Sequence, residues 1–293
     1  MEGCFVAGAD PELMIRSPEG SLISAIGLVP GTKKKPRKVK NGAIQHDNVM
    51  AEFNVNPARS SEEFVEHMRD VLIELSGIVA PNRLVVQASA EFPEKELQNQ
   101  KARIFGCDPD FDSWSLRMNQ IAGDAAESPF RSAGGHLHIG KTKKTAEMLD
   151  NPYGKIEVVK MLDIFVGIPS ILLDPDPTSP ARRALYGKAG AHRPKTYGVE
   201  YRALGNFWVR SPQLVELVYS LADVAVRLCA DGESTKIIEK VGQENVLEAI
   251  NNSNRKVAQK CFRAIKKFIP EDILDAIKKT NLEADLYQCW NLK

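Results

Sequence analysis

The sequence predicts an α+β fold on three observations: short β-like runs fill the first 140 residues, helical periodicity dominates from about residue 212 onward, and no regular βαβ alternation links the two. The β-like runs are Cys4 to Ala7, Leu13 to Arg16, Leu22 to Ile26, Val49 to Val55, Leu84 to Ala88 and His136 to Ile139. Turn signals separate them at Ser17-Pro18-Glu19-Gly20, Pro30-Gly31 and Asn41-Gly42. The runs at 13–16 and 22–26 read as a hairpin.

The helices follow from capping and period. Ser60 and Ser61 precede Glu62 and Glu63, and apolar residues recur at Phe64, Met68, Val71, Leu72 and Leu75, which predicts a capped amphipathic helix ending before Gly77. A second helix is expected from about Gly154 to Leu173, buried through Met161, Ile164, Phe165, Ile168, Ile171 and Leu172 and stopped by Asp174-Pro175-Asp176-Pro177. A strand is expected near Val199 to Leu204. Helices are expected over Leu214 to Leu228, Glu244 to Phe268 and Pro270 to Lys279. Pro30 to Gln45 and Pro93 to Ile121 read as long loops, a length often used for lids or binding segments. The division this suggests is a core over 1–210 with a helical segment over 211–293 packed on it.

Composition narrows the function. An apolar content of 43% in 293 residues supplies a proper core. Lys plus Arg (39) nearly balances Asp plus Glu (38), so nothing global draws the chain to nucleic acid or an anionic membrane. Five cysteines without a CxxC spacing argue against a disulfide framework or a zinc knot and fit a reducing compartment. No signal-like or spanning apolar run is present, so a cytoplasmic protein is expected. The run Thr32 to Lys40, TKKKPRKVK, is ordinarily a solvated loop, with polyanion binding as its other use.

In a strand, residues i and i+2 share a face. Four apolar stretches carry a polar pair at that spacing: Asp10 with Glu12, Glu52 with Asn54, His136 with His138, and Glu200 with Arg202. Each pair alone has a plain reading as a turn, a solvent-facing carboxylate, a structural HxH or a cross-strand ion pair. Together, on neighbouring strands, they would line one face. Hard oxygen donors with one or two imidazoles suit Mg²⁺ or Mn²⁺ better than zinc. The segment 181–202 adds Arg182, Arg183, Lys188, Arg193 and Lys195 beside small residues, which suits phosphate recognition, although a solvated cationic face is the alternative. In FGCDPDFDSW, Asp108, Asp110, Asp112 and Trp114 are candidates for reading a substrate amine, with an ordered acidic loop as the alternative. Cys107 reads as a packed thiol rather than a nucleophile.

The order of these motifs resembles the glutamine synthetase and γ-glutamylcysteine synthetase superfamily. The forms GADPE, DNVMAEFNVNPA, FGCDPDFDSW, GGHLHIG and GVEYRALGNFW, over roughly residues 5–210, look like its phage-encoded carboxylate-amine ligases, or amidoligases. The resemblance implies a curved antiparallel β-sheet with helices packed on one face, ATP at one end, and metal ions on the concave side. By position it implies Asp10, Glu12, Glu52, His136 and Glu200 as metal ligands, and His138, Arg182, Lys188 and Arg202 toward ATP. Arg202, Arg183 and Arg193 would act on the transferred phosphoryl group, and Asn54, Asp108, Asp110 and Trp114 on substrate. The chain is much shorter than glutamine synthetase and lacks a recognisable ammonium-site loop, so glutamate and ammonia are not expected as a matter of course. The expected activity is ATP-dependent joining of a carboxylate to an amine through an acyl phosphate, with Mg²⁺ or Mn²⁺, in the host cytoplasm for a phage protein. Alternatives are a metal-dependent hydrolase, a nucleic-acid-binding protein using residues 32–40, and a guanidino kinase.

Overall fold

A computed structural model describes residues 3–103, 110–119 and 128–293. The expected Cys107 and Asp108 lie outside the described residues. Thirteen strands are described: β1 (Val6–Arg16), β2 (Leu22–Ile23), β3 (Arg37–Val39), β4 (Gly42–Asp47), β5 (Met50–Ala58), β6 (Arg83–Val85), β7 (Ser89–Glu91), β8 (Phe111–Asp112), β9 (Arg117–Met118), β10 (Phe130–Ser132), β11 (Gly135–Gly140), β12 (Ala191–Lys195) and β13 (Gly198–Tyr201). Eleven form one antiparallel sheet in the order β3-β4-β5-β1-β11-β13-β12-β8-β9, with β2 and β6 pairing to the end of β1. The α+β class holds, as does the hairpin that pairs Ile15 with Ile23.

Alternation sorts the sheet's two faces. Ala9, Leu13, Ile15, Phe53, Val55, Leu137, Ile139, Val199 and Tyr201 enter the main core, which the helices cover. The helix Ser61–Val79 packs on β5 and β4, the helix Pro152–Leu162 on β13 and β12, and the helix Pro212–Ala230 on both of those helices. Trp290 of the last helix donates its indole N–H to Val209 O at 2.9 Å, tying the C-terminus to the same core. On the other face a smaller cluster of Met14, Leu22, Val49, Met50, Phe92, Leu97, Ala102 and Ala133 closes one end. Its cover is the segment 89–103 with the two-stranded β7–β10 ladder.

Several expected boundaries move for physical reasons. The first helix runs through Gly77, where an added Cβ would meet nothing, and stops at Ala80, next to Pro81. The second is a continuous run whose middle turn, Asp163–Gly167, is a π-helix. Glu244 to Phe268 is broken at 252–254, and the helix Ser234–Val241 was not anticipated. The expected loop at 30–45 is largely the β3–β4 hairpin, turning at Asn41 in left-handed conformation (φ 57°) ahead of Gly42. No helix among the described residues is long and apolar enough to cross a membrane.

Candidate functional site

The polar pairs converge. Across β1, β5, β11 and β13 the registers set Glu12 opposite Glu52, Asp10 opposite His136, Gly8 opposite His138, and His138 opposite Glu200. On one side Gln45 of β4 faces Glu52, and on the other Arg193 of β12 faces Glu200. Directly opposed residues share a face, so these groups all stand on the side away from the helices. Asn54 belongs to the same row, two residues beyond Glu52.

Glycines make the crowding possible. A Cβ on Gly134 would collide with the His136 imidazole, and one on Gly135 with Gly205 O and the Trp208 indole. The glycine pair thus serves the close approach of the chain's own groups. Gly134 N–H then donates to Glu12 Oε2 at 2.6 Å.

The charges fall into two zones. Around Asp10, His136 Nδ1 lies 3.2 Å from Asp10 Oδ1 and 3.9 Å from Glu200 Oε1, and His138 Nε2 lies 3.2 Å from Asp10 Oδ1. Burial would raise the Asp10 carboxyl, but His138 and His136 outweigh it and hold it well below the usual carboxylate range. Burial and then Arg202 push His136 down to about 4, which keeps it neutral. Burial also disfavours a charged His138, yet Asp10 reverses the balance and raises it. Glu200, 1% exposed, is ringed by cations: Lys195 Nζ at 2.8 Å, Arg193 at 3.4 Å and the Arg202 guanidinium. In the second zone Glu12 and Glu52 share their surroundings with further acids. Burial, Asp47 and Asp10 push Glu12 up to about 7, and burial, Asp10, Glu12 and Asp47 push Glu52 well above its ordinary value.

These residues fit a divalent cation. Donor atoms of Asp10, His138 and Glu200 all lie within 4.8 Å of one another. The buried Nε2 of His136 has no hydrogen-bond partner among the described residues. The raised carboxyls of Glu12 and Glu52 are what burial and then acid crowding leave when no positive charge is shared among them. His138, expected toward nucleotide, stands in the tightest donor group, with His136 alongside.

Arginines border this face. Arg202 Nε donates to Asp110 Oδ2 at 3.2 Å, and Asn119 Nδ2 holds Asp110 Oδ1 at 2.9 Å. Arg182 is 1% exposed and donates to Ala203 O and Arg202 O at 3.2 and 3.4 Å. Burial and the neighbouring Arg183 push Arg182 down to about 9. Tyr186 lies between the two guanidinium groups, 5.6 Å from Arg182 and 5.0 Å from Arg202.

Four expected residues are placed elsewhere. Arg183 turns to Asp174 (3.8 Å) and Ser253 (3.1 Å) among the helices. Trp114 is buried in the main core, with its indole N–H on Asp163 Oδ2 at 2.6 Å. Lys188 is exposed, and its backbone carbonyl accepts from Ala191. Asp112 caps its own turn, accepting from Trp114 N and Ser115 Oγ. Sequence reasoning missed Gln45 and Asp47, which continue the i, i+2 polar pattern; Gln45 ended the supposed loop at 30–45 and Asp47 lay just beyond it. It also missed Tyr197, whose ring stacks on His138 with its hydroxyl 2.5 Å from Nδ1.

The model of one protein family, described as Phage phiEco32-like COOH.NH2 ligase-type 2, matches residues 115–281, more than half of the chain. The chain belongs to this family. A search of curated proteins found no match. The ligase family's name states the bond formed, between a carboxyl and an amine. The match takes in β11, β12, β13 and most of the C-terminal helices, and begins after the strands that bring Asp10, Glu12 and Glu52 to the ligase's polar face.

Proposed function

We propose that the ligase is ATP-dependent and works through an acyl phosphate, with Mg²⁺ or Mn²⁺ on the face formed by Asp10, Glu12, Glu52, His136, His138 and Glu200. The observation that carries this reading is the meeting of acids, imidazoles and arginines from five neighbouring strands on one sheet face. Oxygen-rich donors favour hard cations, and guanidinium groups favour phosphoryl oxygens.

In the first step a substrate carboxylate oxygen attacks the γ-phosphorus of ATP, the bond to the bridging oxygen breaks, and ADP leaves. A neutral amine then attacks the acyl carbon, and phosphate departs with the amine's proton. Divalent cations would supply neutralisation of the phosphate charge. Arg202, held at Nε by Asp110 and at Nη1 by Glu200, presents a fixed guanidinium to the phosphoryl oxygens. Arg182, buried and bonded to the backbone carbonyls of Ala203 and Arg202, adds positive potential behind it. Arg193 on β12 and Asn54 on β5 flank the face where the acceptor carboxylate or amine would lie. Asp110 acts on the reaction through Arg202.

The test is ADP release from carboxylate and amine pairs with Mg²⁺ or Mn²⁺. Release that requires both organic substrates supports the reading. Amide hydrolysis without ATP would replace it with the hydrolase.

A further inference from the structure

The hairpin at 32–40 plays no part in the reaction described above. It carries six cations, Lys33, Lys34, Lys35, Arg37, Lys38 and Lys40, and no acid, in a chain whose net charge is only +1, so the rest of the molecule is net acidic. The six are displayed on an ordered element. Thr32 and Lys35 close a turn through reciprocal backbone bonds of 3.1 and 2.9 Å, and Arg37, Lys38 and Val39 pair with Ile44, Ala43 and Gly42. Lys40 is neutralised by Asp70 at 3.1 Å, and Lys33 lies 3.9 Å from Asp47. Lys34, Lys35, Arg37 and Lys38 are exposed and make no ion pair among the described residues.

One or two charges suffice to keep an edge strand from pairing with another chain. Here Lys34 and Lys35 stand in the turn before the strand, where no edge needs protecting. The register gives the patch a direction. Lys38 pairs with Ala43 and Ala43 with Asn54, so Lys38 shares the face that carries Glu52 and Asp10. At about 4.8 Å between strands, β3 is roughly 14 Å from β1.

We propose that this hairpin is a docking surface for nucleic acid, gripping consecutive phosphodiesters through Lys34, Lys35, Arg37 and Lys38, with the bound strand leading toward the polar face. Arg37 and Lys38 alternate across the exposed edge strand β3, so a phosphodiester chain lying along that edge meets both, with Lys34 and Lys35 in the turn before it, and four such contacts displace condensed counterions.

The test is fluorescence anisotropy of labelled random-sequence DNA and RNA, single-stranded and duplex, with the full chain and no ATP. Binding is expected to weaken about a hundredfold between about 50 and about 200 mM salt. The triple variant Lys34→Gln, Lys35→Gln, Arg37→Gln should bind at least tenfold more weakly, with a salt slope lower by about two to three. Its thermal unfolding and its ADP release with small substrates should match wild type. Absence of salt-dependent binding, unchanged binding by a folded triple variant, or equal binding of poly-glutamate would each overturn the proposal. Because no ATP is present, the result stands apart from whether the ligase reading holds.

Discussion

Glu12 and Glu52 stand directly opposite one another on β1 and β5, a half-buried and a buried carboxyl in one register pair. Gln45 holds Glu52 Oε2 at 2.5 Å and Gly134 N–H holds Glu12 Oε2 at 2.6 Å, which aims both into the same space. Like charge at that separation is unfavourable unless a cation is shared. Glu52→Gln should therefore raise the melting temperature of the chelated protein by about 2–4 °C, roughly 1 kcal/mol. The same variant should lose the stabilisation that Mg²⁺ or Mn²⁺ gives wild type. Calorimetry with and without metal checks both; an undiminished metal effect removes Glu52 from the site.

Glu200 gathers Lys195, Arg193 and Arg202, and its carboxylate lies beside His136. Glu200→Ala or His136→Ala should abolish ATP turnover in a folded protein. Arg202→Lys should cost kcat about a hundredfold or more, because an ammonium cannot reproduce the fork that Asp110 and Glu200 orient. Steady-state ADP release, with circular dichroism as the folding control, measures these losses. Full activity in any one variant excludes that residue.

In the proposed reaction Asp110 would act as a positioning residue, accepting from Arg202 Nε. Asp110→Asn keeps the size of the side chain but weakens its hold on Arg202 Nε, so kcat should fall about tenfold to a hundredfold with little change in the KM for ATP. A rise in KM alone would mean that Asp110 contacts substrate instead.

Tyr197 fixes the ring that faces Asp10. Tyr197→Phe removes the hydroxyl at His138 Nδ1 while keeping the stacked ring. Metal affinity, followed by Mn²⁺ titration, should weaken about tenfold to a hundredfold, as for other partners of a ligating imidazole. Unchanged affinity would leave His138 outside the metal shell.

Behind the sheet, Asp163 in the π-turn accepts from the Trp114 indole and Gly190 N–H at 2.6 Å and from the Tyr201 hydroxyl at 2.7 Å. Complete burial outweighs these donors and pushes its carboxyl up to about 7. The folded state then holds a proton that the unfolded chain loses near pH 3.8. This group's contribution therefore declines as pH rises from about 4 through about 7. Asp163→Asn can keep the three contacts without the charge, so its urea midpoint should vary less over that window. Asp163→Ala should cost about 2–4 kcal/mol near pH 4 and less as pH rises toward 7. An equal pH slope in wild type and Asp163→Asn would refute this account.

What the sequence made legible was whatever strand alternation encodes. The i, i+2 pairs at 10/12, 52/54, 136/138 and 200/202 state which side chains share a face, and the sheet puts those four strands side by side. Alternation does not say which strands pair. Gln45 stayed hidden because a cationic run beside Asn-Gly reads as a loop, although that turn closes a hairpin, and Asp47 because it fell between that loop and the β-like run starting at Val49. Trp114 and Arg183 looked like site residues by proximity in sequence, but their partners, Asp163 in the π-turn and Asp174 just past the helix that ends at Leu173, are linked to them by no local pattern. Tyr197 sits in a tight turn, and its contact with His138 depends on the β11–β13 register.

The most direct test of the central claim is Mn²⁺ binding by electron paramagnetic resonance, with and without a non-hydrolysable ATP analogue. The account predicts bound Mn²⁺ in wild type, tightened by the nucleotide, and lost in Glu52→Gln and Glu200→Gln. Free Mn²⁺ throughout, or binding that survives both substitutions, would contradict it.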